Sequence, residues 1–321
     1  MPGANVHYPL PLTRVNPIYP GQFGVLGADT DDGLRVHPTG TVFYVDPNYP
    51  GVETTRDGTN PTNPLSTIAS AVSKCQPYRG DVIVVSHNSS WQYAEGGMGL
   101  ATAQYTNSIS EEVTLNVSGV RLIGQSFSSI GVPWTPASNG GVCLTVTGND
   151  CVVEGFAFWE GIYTGCDGIA AVWNGTTGWA DNLTVRNCFF DTSVATAISL
   201  DFCYYCDIHS NAFWDVTTGI SGLASSDLAT VHHNLFHDCT NAISAAASDH
   251  WHIFENDFYE VNAAGGASPA NCFILAGDRH QVSRNNMSCA LGAEYTAANT
   301  AGVANAWINN YLLNGVSTSN P

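Results

Sequence analysis

A six-residue pattern recurs along this chain and restricts what it can fold into. It runs apolar, any, any, Asn-like, any, large apolar. It reads Val185-Cys188-Phe190, Ile208-Asn211-Phe213, Val231-Asn234-Phe236, Ile253-Asn256-Phe258, Val282-Asn285-Met287 and Trp307-Asn310-Leu312. Upstream, Val153-Phe156-Phe158 and Leu122-Gln125-Phe127 fit more loosely. Successive copies begin 22 to 32 residues apart. A fixed pattern at variable spacing describes coils of one cross-section with loops of differing length, the mark of a solenoid.

Each position has a physical task. The first apolar residue and the later aromatic, Phe190, Phe213, Phe236 or Phe258, point inward from two strands and pile into buried columns. The Asn stands at the bend between the strands, where it can tolerate unusual backbone and bond local groups. Asn211, Asn234, Asn256 and Asn285 then form a ladder of amides bonded up and down the stack. Four residues before the first apolar position comes another turn residue, Asn149, Asp181, Asp227, Asp249 or Asp278; Tyr204 breaks the series. A third strand follows around Ile169, Ile198, Ile220, Ile243 and Ile274. Three short strands per coil with period-2 patterning predict an all-β fold, a right-handed parallel β-helix.

The rest of the chain divides around that array. Residues 1–40 hold six prolines and no clear period, yet carry Tyr8, Leu10, Leu12, Val15, Ile18, Tyr19 and Phe23. A solvated tail would be polar. An extended arm that covers apolar surface is expected, on its own domain or on a neighbour. Residues 41–100 supply the strand TVFYV, a turn-rich loop, a short capping helix in PLSTIASAVSKCQ with Ser66 as candidate N-cap, and the strand GDVIVV. The helix is placed to close the open end of the solenoid, and residues 101–321 form the coils and the C-terminal end.

Charge narrows the function. The formal net charge is −18, with nine basic residues and one lysine, Lys74. Nucleic acid needs clustered cations, so it is not an expected partner; neither is an anionic membrane. No apolar run approaches a membrane span, and the first residues lack the basic start and apolar run of a secretory signal, so manufacture and use without export is expected. The ten cysteines are spread through the chain, several inside strand patterns, and read first as small core residues.

The segments VRNCFF, CDIHSNAFW, ATVHHNLFH and WHIFENDFY, preceded by YVDPN…DGTNPTNPLSTIASAV…GDVIVV, resemble the pectate-lyase-like β-helix superfamily. The likeness spans about residues 41–315, and the lead-in is similar to that of β-helices in phage and other microbial proteins. Sugar-cleaving members place their chemistry on one strand face, with an acidic calcium cluster and a basic residue, or with paired carboxylates.

On that resemblance the third strand should carry the reacting groups. Its expected outward positions are Gly168, Ala197, Gly219, Ala242 and Phe273 before the Ile, and Ala170, Ser199, Ser221, Ser244 and Leu275 after it. None is ionisable, so the expected catalytic set is empty. Ala197, Ser199, Gly219, Ser221, Ala242 and Ser244 instead read as a smooth packing face. His209 and His232, beside His233, Glu255 and Arg284, invite a metal; surface hydrogen bonding explains them more simply. Turn capping explains Asp227, Asp249 and Asp278 more simply than calcium does; Cys203 and Cys206 have no second pair at zinc spacing; and the acid pairs Asp201 with Asp207 and Glu154 with Glu160 read as solvated loop acids. No cofactor is expected.

The expectation is a non-enzymatic structural component of a tailed-phage virion, a capsid decoration or fibre or tailspike-like protein, assembled in the host cytoplasm. Its partners would be itself, as a homotrimer, and a capsid or tail protein. The alternative is a depolymerase of host surface glycan, with its site in the loops near Trp91, Trp134, Trp159, Trp173 and Trp179.

Overall fold

The computed structural model describes residues 39–49, 55–87, 108–126, 131–173, 175, 179–191, 194–261, 271–289, 305–312 and 317–318. The apolar arm, apart from its last two residues, and Trp91 lie outside them. The strands wind into three sheets, parallel throughout except for the closing pair of Asn310–Leu312 with Ser317–Thr318. The fold is a right-handed parallel β-helix. One coil shows the plan: Asp207–His209 lies in sheet 1, Ala212–Trp214 in sheet 2 and Thr218–Gly222 in sheet 3.

The repeat positions stack as the pattern requires. Leu122, Val153, Val185, Ile208, Val231, Ile253, Val282 and Trp307 pair rung to rung in sheet 1. In sheet 2 the rings of Phe158, Phe190, Phe213, Phe236 and Phe258 lie 4.6 to 5.0 Å apart and within 12° of parallel. That spacing is the distance between neighbouring strands. Each fully buried Phe contributes on the order of 1.5–3 kcal/mol. Phe127 falls outside the described residues. The strand Arg121–Ser126 runs straight through its expected bend, and Trp134 fills the aromatic column above Phe158.

The Asn ladder has five rungs, since Asn310 joins the four expected ones. Each amide donates to a carbonyl of the coil before, and all but the last, Asn310, also donate to the side-chain oxygen of the next Asn, as Asn234 does to Ile208 at 2.8 Å and Asn256 at 3.0 Å. The left-handed backbone falls on the preceding residue, not on the Asn: Ser210, His233, Glu255, Arg284 and Asn309 have φ between 52° and 57°. The Asn side chains satisfy the buried groups that this bend leaves behind.

Sheet 3 departs from the expected pattern twice. Ala197 and Ala242 are fully buried and Gly219 is buried as well. A Cβ on Gly219 would stand 2.8 Å from Cε1 of Phe236, and one on Gly168 2.9 Å from Cε1 of Phe190. These positions are small because a core ring lies against them, so they are no part of an outer face. At the last rung Phe273 pairs with Ile243 and Ile274 with Ser244. Phe273 and Leu275 therefore point inward and Ile274 outward, one residue out of step with the expectation.

The capping helix is short, Ile68–Val72, with Thr67 rather than Ser66 at its N-cap. Thr67 Oγ1 accepts the Ser70 N–H at 3.1 Å, and the Glu111 carboxylate accepts that of Ile68 at 2.9 Å. The helix packs against Val42–Val45, Val82–His87 and Val113–Leu115. It covers the first coil of the core with Ile68, Ala71 and Val72.

Candidate functional site

With the inward small residues removed, the outward column of sheet 3 is Thr114, Thr145, Ala170, Ser199, Ser221, Ser244 and Ile274. It carries no ionisable group. Asp167 and Asp201 flank it at the two ends of their strands. Burial raises the Asp167 carboxyl above its ordinary value, although it accepts the Thr196 N–H at 2.9 Å. Of the expected packing face, Ser199, Ser221 and Ser244 remain.

The outer face of sheet 1 is different. Its outward column reads Tyr44, Val84, Ile123, Glu154, Arg186, His209, His232, Phe254 and Ser283. The first three are apolar and buried. Next comes Glu154, clamped by Arg121 and by Arg186, whose Nε lies 2.7 Å from Oε2. A depression of about 320 Å³ lies beside this network, lined by Asp81, Val82, Arg121, Val152, Thr184 and Arg186. On the following coils His209 stacks on His232 and His232 on Phe254, each at 4.9 Å.

Hydrogen bonds tie these imidazoles to carboxylates. Asp207 Oδ1 lies 3.1 Å from His232 Nε2, His232 Nδ1 lies 2.7 Å from His233 Nδ1, and His233 Nε2 lies 3.0 Å from Glu255. Arg284 completes the chain with Nε 2.8 Å from Glu255. Burial works to raise the Asp207 carboxyl, yet His232, His209 and Arg186 hold it below its ordinary value. Burial lowers His209 and keeps it neutral near pH 7. Ser210 Oγ stands 3.2 Å from His209 Nδ1, but His209 Nε2 is 4.0 Å from Asp207. Asp207 thus orients His232, and no serine–histidine–aspartate relay forms.

The structure does not bring the remaining expected residues together. Glu154 is held by two arginines, whereas Glu160 is buried and its carboxyl raised by that burial. Asp201 ends a sheet 3 strand; Asp207 begins a sheet 1 strand and serves the histidines. Two further histidines stand apart from this face: His237 stacks between Trp214 and Tyr259 on sheet 2, and His280 is fully buried. The aspartate column is a backbone device: Asp181, Asp227 and Asp249 accept the N–H of Tyr204, Asp249 and Asp278, each one coil on. The first acceptor therefore bridges the break at Tyr204.

Among the described residues, no group of three His, Cys, Asp or Glu is placed to hold a metal. Cys272 is disulfide-bonded, and eight other cysteines, Cys203 and Cys206 included, are free and buried. Burial pushes the Cys75, Cys188 and Cys239 thiols up to about 12 and Cys151 to about 11. Trp134 is buried core, whereas Trp173 stacks on Trp179 at 5.5 Å and is exposed. Sequence spacing placed both in the same loop class; only burial separates them.

Among solved structures, the chain is similar to a candidate glycosyl hydrolase from Parabacteroides merdae, at 9% identity over 77% of this chain and 88% of that one, TM-score 0.29. It is also similar to the pectate lyase Pel9A, at 13% identity over 83% and 81%, TM-score 0.29. Similarity at that level supports no inference about this chain. No curated protein matches it. The family model for the periplasmic copper-binding protein NosD matches residues 141–320, more than half of the chain, beginning at the second rung of sheet 3, Val142–Val146. This chain belongs to the NosD family.

Proposed function

We propose that this protein is a non-enzymatic β-helix that serves as a rigid structural part of a larger assembly. One observation carries the reading. The outward column where the resemblance would put catalysis is hydroxyl, methyl and, at its end, Ile274, while on sheet 1 Asp207 and Glu255 are engaged by His232, His233 and Arg284 and Glu154 by two arginines. A general acid and base must reach substrate with a proton to give or take. Groups locked in structural pairs are poorly placed to do so.

The assembly we favour is the virion of a tailed phage, where the chain would stand as a capsid decoration or fibre or tailspike-like component. The support is the likeness of residues 44–85 to the lead-in of β-helices in phage and other microbial proteins. Ser199, Ser221 and Ser244 offer a flat strip on which copies could pack as a homotrimer, beside contacts with a capsid or tail protein. Mass spectrometry of purified particles tests this: tens of copies per particle are expected. Absence from particles, or release of reducing ends or unsaturated products from host polysaccharide, would overturn it.

The family description names copper, and the residues described here do not fit it. Copper(I) selects thiolate and thioether, and copper(II) selects imidazole with oxygen ligands. The free thiols are buried, several with their deprotonation pushed far above neutral pH, and Met287 is core. Of the sheet 1 imidazoles, His232 and His233 bond carboxylates and each other, and His209 bonds the Ser210 hydroxyl. No role is assigned to the metal.

A further inference from the structure

Among the described residues, the coils turn from sheet 3 to sheet 1 through a residue in the left-handed backbone region. Along the stack it is Tyr78, Gly119, Asp150, Asn182, Tyr205, Leu228, His250 and Arg279, with φ between 55° and 76°. Asn and Asp tolerate this conformation, whereas large or branched side chains are disfavoured there. Among the described residues, a large apolar or aromatic side chain takes such a position only at Tyr78, Phe202, Tyr205 and Leu228. All four stand at this corner, and Phe202, Tyr205 and Leu228 lie there on adjacent coils.

The same corner gathers the exposed aromatic surface. Trp173 lies 5.5 Å from Trp179 and 6.0 Å edge-on from Phe202, and Trp179 lies 6.2 Å from Tyr204. Tyr205 is 60% exposed, Leu223 47%, Trp173 40% and Leu228 39%. None of the four joins the core. Their cost to the folded chain is therefore double for Tyr205 and Leu228, in apolar surface left in water and in backbone conformation, and an Asn would avoid both. Tyr78 shows the same combination singly, 64% exposed with φ 55°, but only at Tyr205 and Leu228 does it stand beside stacked, exposed tryptophan, and such a cluster points to a ligand.

The surroundings select its chemistry. Aromatic faces carry negative charge density and attract the polarised C–H groups of a sugar ring. Asp181, Asp201 and Asp227 border the patch, and Asn182 donates its amide to Asp150 at 2.9 Å. These oxygens can accept bonds from sugar hydroxyls. A polyanion would meet this acidic rim and a net charge of −18. A second copy would bring an equally acidic rim against it. We infer that the sheet 3 to sheet 1 corner around Trp173, Tyr205 and Leu228 is a binding site for a neutral polysaccharide. The site does not depend on the structural role proposed above, because binding requires no catalysis and no particle.

Affinity electrophoresis and calorimetric titration of the full chain against dextran, laminarin, mannan and galactan, with polygalacturonate as the charged comparison, test the site. At least one neutral polymer should retard the chain, and polygalacturonate should not. The double variant Tyr205→Asn, Leu228→Asn puts tolerant residues into the left-handed positions, so its melting temperature should equal or exceed the parent's while affinity falls by about tenfold or more. Trp173→Ala should weaken binding likewise. Binding of none of the four, unchanged affinity in the double variant, or tighter binding of polygalacturonate overturns the proposal. So does self-association abolished by the double variant with no polymer bound, which would make the patch a contact between copies.

Discussion

The side-chain amide of Asn211 donates to the side-chain oxygen of Asn234 at 3.1 Å, and that same oxygen accepts the Asn211 backbone N–H at 3.0 Å. Both residues are buried, and Asn234 also donates to the Ile208 carbonyl at 2.8 Å. Asn234→Ala therefore strands two donors and one acceptor away from water. Each orphan costs about 1–3 kcal/mol, so a loss of about 4 kcal/mol is expected in urea unfolding. A loss under about 1 kcal/mol would show that the ladder is not a stabilising element.

Acid should destabilise the fold through His280. This side chain is fully buried, and its Nδ1 accepts the Trp251 N–H at 3.2 Å. Burial holds its pKa at about 4, against 6.5 for the free side chain. The unfolded chain therefore takes up a proton first. The stability contributed by the neutral ring is whole above about pH 6.5, declines as the pH falls, and is lost by pH 4, a change of about 3 kcal/mol. Comparing unfolding of the parent and His280→Gln across this range isolates the term, because other carboxylates titrate in both. Parallel curves would rule out His280 as the source.

Two neighbouring small residues on sheet 3 should respond oppositely to substitution. Gly219 faces the core, where a Cβ would stand 2.5 Å from the Ala242 carbonyl oxygen. Gly219→Ala should lower stability by about 1–3 kcal/mol through overpacking. Ser221 lies on the outward column, so Ser221→Ala should change stability by less than about 0.5 kcal/mol. Thermal melts of both variants check the orientation, and a reversed ranking would contradict it.

The free thiols should be chemically silent in the native protein. Cys188 and Cys239 are wholly buried with pKa pushed up to about 12, and thiolate is the reactive form. Maleimide at neutral pH should label them only after denaturation, as intact-mass analysis would report. Rapid labelling of either in the folded chain would show that the coils open locally far more than their packing implies.

The solenoid itself could be read from the chain because its order is one-dimensional. Each coil repeats the task of the one before, so a buried apolar residue at Val185 forecasts another at Ile208 and at Val231. The Phe column and the Asn ladder were legible for the same reason. The orientation of sheet 3 was not. Two consecutive residues, Ala197 and Ile198, both turn inward, which strict alternation forbids; the strand begins at a corner, where the backbone tucks its first small residue under a Phe ring. The slip that brings Phe273 under Ile243 follows a longer connection, and no spacing rule fixes how such a loop returns to its sheet.

Sequence alone determined the coil and the inward columns of sheets 1 and 2, because these depend on local pattern repeated at every rung. Tertiary structure decided which carboxylate meets which histidine, as with Asp207 and His232, and which exposed rings gather, as with Trp173 and Phe202. Such contacts join residues more than twenty positions apart through the pitch of the stack, and pitch is set by backbone hydrogen bonds between coils rather than by any single segment.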